Sequence, residues 1–402
     1  MSRSISLEVV KLNTTSLKEK ILREVDNITQ ELFELAKKLK ENPEIGFKEY
    51  QASEWITEIL EKYSFEVEKN IGGLETAFKG TLKLGAGGPK VAFLCEYDAL
   101  PEVGHGCGHN LIAAASLGAA ISLSRIKGLN TEIIVFGCPG EENGGGKVIL
   151  VEKGLFDGVD IAMMVHPSTE NCVYSTSLAL DAYEFEFKGR SSHAAGAPEK
   201  GINALDAVIH FFNGINSLRQ YLREDVRIHG IISEGGKAPN VIPDRAVAKF
   251  YFRAKDREYL NEVTEKIFNV AKGAATMVGA KVEWRKFELS NDDLKPNKTL
   301  AETFERNLRF LGVSDIVSPK EGRGSTDMGN VSQVVPAIHP HLSIGDKSLI
   351  PHSREFAQAT MSVNGKKFIN LAAKTMALTA LDVLTDEELF EKIKKEFMKD
   401  YD

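Results

Sequence analysis

Short apolar segments of strand length alternate with segments of helical periodicity between residues 90 and 165. The apolar segments cover residues 90–95, 132–138 and 160–165, and the predicted helices that separate them cover 109–127 and 145–154. Parallel strands need such crossover helices, so the pattern predicts a largely parallel sheet with helices on both faces. Ligands of such sheets bind beyond the carboxyl ends of the strands. We therefore expect the functional residues of this α/β domain at that edge.

Side chains that can bind metal follow each of these apolar segments. Cys107 and His109 stand two residues apart among glycines after the first segment, Glu141 and Glu142 follow the second, and His166 follows the third. Taken singly, Cys107 and His109 have the ordinary interpretation of a buried cysteine and a core histidine. Together at one edge of a sheet, these residues predict a metal site with a spare carboxylate, which is typical of a metal-dependent hydrolase.

His352 adds a candidate ligand from the part of the chain that is predicted to return to the same domain. With Cys107, His109, Glu142 and His166 it makes a set of five. Five ligands are too many for one tetrahedral zinc with an open position, and they fit two metal ions that share a bridging ligand. Thiolate and imidazole donors favour zinc, while manganese, cobalt and nickel stay open.

The adjacent glutamates can divide two tasks between them. Neighbouring residues on an extended segment point in opposite directions. One carboxylate can therefore bind metal while the other acts as general base on a water molecule. An alternative is a hydrolase in which Cys107 is the nucleophile and a histidine is its base. In that mechanism Glu141 and Glu142 have no natural role.

The pattern changes near residue 176, where apolar and charged residues begin to alternate as in a half-exposed antiparallel strand. Strands are predicted at 183–188, 226–233, 246–254 and 281–287, with helices at 203–221 and 258–278. This strand and helix order is the ferredoxin-like one. The sequence thus predicts a catalytic domain of residues 1–175 and 291–402, into which an α+β domain of residues 176–290 is inserted. Further helices at 300–311 and 366–384 and a strand at 337–344 complete the first domain.

Charge and hydropathy argue against other classes of protein. The formal net charge is −7 and no long basic run exists, which argues against nucleic acid as a partner. No apolar stretch approaches the roughly 20 residues that span a bilayer, and the first residues lack the apolar segment of a secretory signal. The four cysteines are too few for a disulfide scaffold. A cytoplasmic location without membrane contact is expected.

The order of several motifs resembles the aminoacylase/carboxypeptidase-type family of dinuclear metallopeptidases. The resemblance covers residues 20–385 and is strongest to the amidohydrolase branch, with its hippurate, auxin-conjugate and aminobenzoyl-glutamate hydrolases and dipeptidase-like members. It implies a zinc-exopeptidase-like catalytic domain and an inserted lid that joins two subunits in a homodimer. The motifs are Asp98-Ala99-Leu100-Pro101, Gly106-Cys107-Gly108-His109, Glu141-Glu142, His166-Pro167, Ser192-His193-Ala194, Asn240-Val241-Ile242-Pro243 and Gly324-Ser325-Thr326-Asp327.

Carried over to this sequence, the resemblance implies a role for each residue of the metal site. Cys107 would bridge two divalent metal ions, and Glu141 would be the general base. Asp98 would be the carboxylate that orients an imidazole ligand. The remaining ligands would be His109, Glu142, His166 and His352.

The resemblance also implies that residues of the lid complete the active site. His193 corresponds to the histidine that reaches the active site of the other subunit and stabilises the oxyanion. The implied substrate-binding residues are Asn240, Arg253, Ser325 and Thr326.

A few positions depart from the resemblance or stay outside it. Glu96 occupies the place where more distant relatives have a ligand histidine, so His109 is expected to take that part. Asn110 stands where the branch often has aspartate. His339 and His341 are expected not to be ligands.

The function expected from the sequence is cleavage of the amide bond of an N-acyl amino acid or a dipeptide with a free carboxylate. The second alternative, beside the cysteine hydrolase, is a non-catalytic metal-binding relative that acts as a scaffold. The complete set of ligands and base argues against that alternative.

Overall fold

The protein contains two main β-sheets, each covered by helices. The structure is a computed structural model that describes residues 14–399 except 320, 323 and 346. The strands are β1 (Glu66–Lys69), β2 (Phe78–Leu84), β3 (Lys90–Glu96), β4 (Thr131–Cys138), β5 (Ile161–Met163), β6 (His166–Ser168), β7 (Ala179–Lys188), β8 (Arg227–Glu234), β9 (Arg245–Ala254), β10 (Lys281–Lys286), β11 (Ala337–Ile338) and β12 (His341–Ser343). The α-helices are α1 (Thr14–Glu41), α2 (Tyr50–Lys62), α3 (His109–Ser124), α4 (Gly146–Glu152), α5 (Ala204–Leu218), α6 (Arg257–Val278), α7 (Lys298–Phe310), α8 (Met328–Ser332), α9 (Arg354–Ala359), α10 (Val363–Thr385) and α11 (Glu387–Lys399).

The first sheet has the strand order β1-β2-β4-β3-β5-β11. β4, β3, β5 and β11 are parallel, whereas β2 and β1 join antiparallel at one edge. β3 and β4 are buried at almost every position, which explains their continuous apolar sequences. The predicted α/β fold with a mostly parallel sheet is confirmed. The edge strands β1 and β2 were not predicted, and β1 is largely exposed, so it needs no apolar run.

α3 is the central helix of this first domain. Every residue from His109 to Leu123 is buried, because β3 covers one side of the helix while α1 and α10 cover the others. A Cβ atom at Gly118 would lie 2.8 Å from the Ala373 Cβ and 2.8 Å from the Leu32 Cδ1, so this contact requires glycine. α3 is thereby held firmly from its first residue, His109.

α10 corrects one expectation drawn from the sequence. It has 23 residues and is long and apolar enough to cross a membrane, so the prediction that no apolar stretch approaches this length was wrong. Most of its apolar window is buried inside the protein, where α10 packs against α1, α3 and α7. These contacts are those of a core helix.

The second sheet has the order β10-β7-β9-β8 with all neighbours antiparallel. α5 and α6 pack against it and enclose a separate apolar core that is rich in phenylalanine. The predicted ferredoxin-like arrangement is confirmed. All its elements lie between residues 179 and 286, and the domain boundaries at 175/176 and 290/291 stay predictions.

The chain passes between the two domains twice, and these two connecting segments, the chain crossings, lie side by side. The Leu180 and Asn291 backbones donate hydrogen bonds to each other, with N···O distances of 2.8 and 3.1 Å. Arg257 donates to both carbonyl oxygens, at 3.2 Å to Leu180 and 2.6 Å to Asn291. Its guanidinium also pairs with Asp181 at 2.9 Å and with Asp292 at 2.6 Å. One arginine therefore binds the two crossings into a single connection.

The strand predicted at 337–344 is divided between two sheets. β11 extends the first sheet, whereas β12 pairs with β6 in a separate two-stranded parallel sheet. His339 and Pro340 lie between the two strands and belong to neither, and proline cannot donate to a continuous ladder. β6 begins at His166, so this residue lies within a short strand and directly beyond β5.

The contact between α3 and α10 gives a stability prediction. Gly118→Val should lower the free energy of unfolding by about 1–3 kcal/mol, since the new side chain overpacks a filled core. Thermal and urea unfolding would measure the loss. Gly273→Val is the matched control, because a Cβ atom at Gly273 in α6 meets no atom within 4 Å. Equal stability of the two variants would contradict the tight packing of α3.

Candidate dinuclear metal site

The glycine between Cys107 and His109 determines how closely these residues approach β6. Gly108 precedes α3 with φ of +80°, a conformation that favours glycine. A Cβ atom there would lie 2.5 Å from the Pro167 Cγ. Without it, the Cys107 Sγ comes within 3.4 Å of the His166 Nε2. The sequence Cys-Gly-His thus brings the start of α3 against the start of β6.

His352 reaches the same place from the returning part of the chain. It is one of the few non-glycine residues with a positive φ, at 65°, and its backbone N–H donates to the Gly106 carbonyl at 2.9 Å. Its Nε2 lies 3.4 Å from the Cys107 Sγ and 3.5 Å from the Glu142 Oε1. A strained backbone held by its surroundings is typical of functional positions.

The five predicted ligands form two groups that share one member. Within each group the ligand atoms lie within 4.8 Å of one another. The groups are Cys107, His109 and His166, and Cys107, Glu142 and His352. In the described part of the chain, the buried His109 Nε2 and Glu142 Oε1 have no hydrogen-bond partner. Unsatisfied ligand atoms around a shared thiol fit a site for divalent metal ions, which these five residues would hold.

Asp98 connects the two strand ends that carry these ligands. Its Oδ1 lies 2.8 Å from the His109 Nδ1, and its Oδ2 accepts from the Glu142 backbone N–H at 3.0 Å. Burial alone would raise the pKa of Asp98, but the charge and the hydrogen bond of His109 outweigh it and leave the pKa lowered. A proton on Nδ1 directed at Asp98 leaves the Nε2 of His109 for metal.

Glu141 lies beside the ligands and is half-buried. Burial raises its pKa well above the usual range, and the nearby Glu96, Asp327 and Glu142 carboxylates raise it further. The structure thus places Glu141 beside the predicted ligands His109 and Glu142, and its role as general base stays a prediction.

A buried network of charges behind the site was missed from the sequence. The Lys147 Nζ lies 2.5 Å from the Glu96 Oε1 and 2.6 Å from the Asp327 Oδ1. The other Glu96 oxygen lies 3.3 Å from the His109 Nε2. Burial would lower the pKa of Lys147, but Asp327 and Glu96 outweigh it, so the pKa is raised and the ammonium stays charged. Lys147 lies in the helix predicted over 145–154, where a lysine usually faces solvent, so the sequence gave no signal of burial.

Two cavities meet at this site. The first has a volume of about 380 Å³ and is lined by residues that include Thr326, His339 and His341. The second has a volume of about 330 Å³, and Arg253 is among its lining residues. They share Glu141, Glu142, Gly324, Ser325 and His352 among their lining residues.

Arg253 links the lid to the catalytic domain between these cavities. Its Nη1 donates to the Ser325 Oγ at 2.7 Å. The structure thus brings three of the predicted substrate-binding residues to the metal site, namely Arg253, Ser325 and Thr326.

His339 lines the first cavity without hydrogen-bonding either ring nitrogen. Both nitrogens are buried and lack a partner in the described part of the chain, and the ring centroid lies 5.6 Å from that of His166. Burial, together with His341 and His166, lowers the pKa of His339 well below its usual value, so the ring is neutral. His339 belongs to no candidate ligand group, but it is a polar residue of the cavity that the sequence analysis did not anticipate.

His193 and Asn240 lie together at a different part of the lid. Ala194 N–H donates to the Asn240 carbonyl at 3.0 Å. The His193 Nδ1 accepts from the Ala195 and Gly196 backbones at 3.2 and 2.9 Å, so a neutral ring carries its proton on Nε2. Among the described residues that line the two cavities, neither His193 nor Asn240 is present. The structure does not bring them to the metal site of their own subunit.

Known proteins resemble this chain over nearly its whole length. A family model described as a peptidase dimerisation domain matches residues 179–276. The Xaa-Arg dipeptidase of Mus musculus is 37% identical over 398 residues, which cover 95% of this chain and 92% of that protein. A p-aminobenzoyl-glutamate hydrolase chain of Escherichia coli is 33% identical over 308 residues, which cover 71% of this chain and 63% of that protein.

Solved structures share the fold. A dinuclear metal-binding peptidase of the M20 family from Bacillus subtilis has a TM-score of 0.70 at 21% identity and covers 89% of this chain and 99% of its own. This chain belongs to the M20 family of metallopeptidases. It is therefore a metal-dependent hydrolase that cleaves the amide bond of dipeptides or N-acyl amino acids, as the sequence analysis predicted.

The buried Lys147 gives a prediction on stability. Lys147→Met should lower the free energy of unfolding by about 3–5 kcal/mol, because Glu96 and Asp327 would keep buried charges without a counterion. Urea unfolding of the metal-loaded protein measures this change. Lys153→Met, at an exposed position after α4, is the control and should change little. A Lys147→Met variant as stable as the control would show that the network does not hold the site together.

Proposed function

We propose that the protein is a homodimeric dipeptidase that requires two divalent metal ions, most simply zinc, and a free carboxylate on its substrate. The observation that carries the proposal is that the five proposed ligands lie close together around Glu141. Two cavities meet there, and Arg253 lines one of them. Dipeptides are favoured over other N-acyl amino acids because a relative that matches over nearly the whole chain is named as a dipeptidase. The cytoplasmic location inferred from the sequence stays a prediction.

The ligands proposed for the ions are Cys107, His109, Glu142, His166 and His352, with Cys107 shared. Bound there, the ions supply a Lewis acid for the substrate carbonyl and lower the pKa of water. Asp98 holds the tautomer of His109 and the backbone of Glu142. Glu141 takes a proton from the attacking water and delivers it to the leaving nitrogen as the C–N bond breaks.

Arg253 is proposed to bind the substrate carboxylate. Only its Nη1 is occupied by Ser325 in the described part of the chain, and a guanidinium has further donors for a carboxylate. In a dipeptide the nitrogen of the cleaved amide bond and the free α-carboxylate both belong to the leaving amino acid. The second cavity is therefore assigned to the leaving amino acid and the first to the acyl part, which would contact Thr326 and His339.

The dimer is proposed to form through the lid. β8 is an edge strand of the second sheet, and Ile231 and Ile232 on it are 63% and 42% exposed. An exposed apolar edge strand is a ready surface for association, and the match to a dimerisation domain covers this strand. A second subunit can then supply His193, whose Nε2 has no hydrogen-bond partner among the described residues and could donate to the oxyanion, together with Asn240 for the substrate carbonyl.

The two alternatives are less well supported. A thiolate nucleophile at Cys107 is disfavoured because it would leave Glu141 and Glu142 without a role, and chelator-insensitive activity would be needed to establish it. A non-catalytic scaffold would not need Glu141 beside a full set of ligands. Metal-loaded protein that hydrolyses no dipeptide and no N-acyl amino acid would favour the scaffold.

The two glutamates can be distinguished by mutation. Glu141→Gln should keep about two metal ions per subunit and lose activity by at least about 100-fold, because the general base is removed. Glu142→Gln should lose metal as well as activity. Elemental analysis and hydrolysis of a panel of dipeptides and N-acyl amino acids measure both quantities. The opposite pattern of metal loss would reverse the two assignments, and two active variants would refute the proposed mechanism.

Mixed dimers test whether His193 acts across the interface. His193→Ala and Glu141→Gln should each be nearly inactive alone. Reassembled together they should regain up to about a quarter of the wild-type activity, since random pairing leaves half the dimers mixed and one site intact in each. Gel filtration would verify reassembly. Absence of recovery, or full activity of a verified monomer, would place the action of His193 within its own chain or exclude it.

A further inference from the structure

Glu288 is an acidic residue of the second cavity that the proposed mechanism does not use. It follows β10, is half-buried, and lines the cavity together with Tyr251 and Arg253. Its Oε1 accepts a hydrogen bond from the Tyr251 hydroxyl at 2.6 Å. In the part of the chain that the structure describes, its Oε2 has no donor and no lysine or arginine forms an ion pair with it. The carboxylate is thus fixed in place without its charge being neutralised by a direct partner.

Tyr251 keeps this carboxylate in one orientation. Burial, followed by the hydrogen bond to Glu288, raises the pKa of Tyr251 to about 12, so the hydroxyl keeps the proton that it donates. The Arg253 guanidinium lies 5.9 Å from the Tyr251 ring centroid. A single aromatic residue therefore stands next to a cation and an anion on the same wall of the cavity.

The position of Arg253 determines what Glu288 faces. If Arg253 binds the carboxylate of the leaving amino acid, the side chain of that amino acid occupies the rest of the second cavity. The other carboxylates lining this cavity in the described residues are Glu141 and Glu142, which belong to the metal site. Glu288 is then the charged group left to contact the substrate side chain.

We propose that Glu288 is a specificity-determining residue that selects a leaving amino acid with a cationic side chain, such as arginine or lysine. The proposal rests on the dipeptidase function proposed above. A fixed carboxylate pairs with a guanidinium or ammonium group, and in a partly desolvated cavity this attraction exceeds that of an exposed pair. An acidic side chain in the same cavity is repelled, so the cavity both selects and excludes.

The test compares dipeptides that differ in charge but little in shape. Ala-Arg, Ala-citrulline and Ala-Glu share the acyl residue, and citrulline replaces the guanidinium with a neutral urea group. For the metal-loaded wild type we expect kcat/KM for Ala-Arg to exceed that for Ala-citrulline by at least about tenfold, with Ala-Glu the poorest. Glu288→Gln should bring the Arg to citrulline ratio close to one while hydrolysis of Ala-citrulline changes less than about threefold. Glu288→Lys should favour Ala-Glu.

Matched variants separate recognition from folding. Glu283→Gln is the control, since Glu283 lies on β10 with an exposed side chain paired with Lys188 and should keep the wild-type ratio. Tyr251→Phe retains the carboxylate but removes its anchor, and it should reduce the ratio only in part. This variant also tests the proposal if Glu288→Gln does not fold.

Binding measurements keep this test independent of catalysis. Calorimetry should show free arginine binding to the metal-loaded protein at least about tenfold more tightly than citrulline, and Glu288→Gln should remove the difference. Equal use of Ala-Arg and Ala-citrulline by the wild type, or an unchanged ratio in Glu288→Gln, would overturn the role of Glu288. If the protein binds arginine selectively but hydrolyses no dipeptide, the proposed dipeptidase function is refuted. The assignment of Glu288 to a subsite for cationic side chains would then still stand.

Discussion

The site depends on one buried carboxylate that holds two strand ends together. Asp98, just beyond β3, binds the ring of His109 and the backbone of Glu142, which follows β4. Both partners carry ligand atoms, so a shift of this one residue would move a ligand of each candidate metal group. Because a buried carboxylate is stable only when it is hydrogen-bonded, the interaction also ties folding of the sheet edge to assembly of the site.

A second layer of charge supports this arrangement. Lys147 holds Glu96 near His109 and, through Asp327, connects α4 to the segment before α8. Two carboxylates and one ammonium leave the network with a net negative charge beside the ligands. Such a charge suits bound cations, and it explains why this buried network is compatible with a metal site and would be costly without one.

The sequence predicted those parts of the structure that follow local periodicity. The parallel sheet, the ferredoxin-like order and the position of ligands after the strands all arise from apolar patterns and from which residues follow them. Features that depend on tertiary contacts were missed. Lys147 is buried because two acids from distant segments meet it, and the division of the predicted 337–344 strand depends on pairing with β5 and β6.

The same limit applies to the cavities. Glu288 and His339 have no distinguishing local pattern, because their significance comes from neighbours far away in sequence. Arg253 was inferred from family resemblance, and the structure adds its contact with Ser325. The placement of His193 away from the metal site of its own subunit follows from pairing of the segments around Ser192 and Ile242, which sequence periodicity does not reveal.

The paired crossings at Leu180 and Asn291 have a mechanical consequence. Two hydrogen-bonded segments clamped by Arg257 act as a single joint, whereas two separated linkers would permit sliding as well as rotation. A body attached at one joint has rotation about that joint as its softest motion. A rotation of the lid would therefore be centred near Leu180 and Asn291. Such a rotation would displace Arg253, which pairs with Leu180 at the joint, less than the His193 segment beyond the far end of β7.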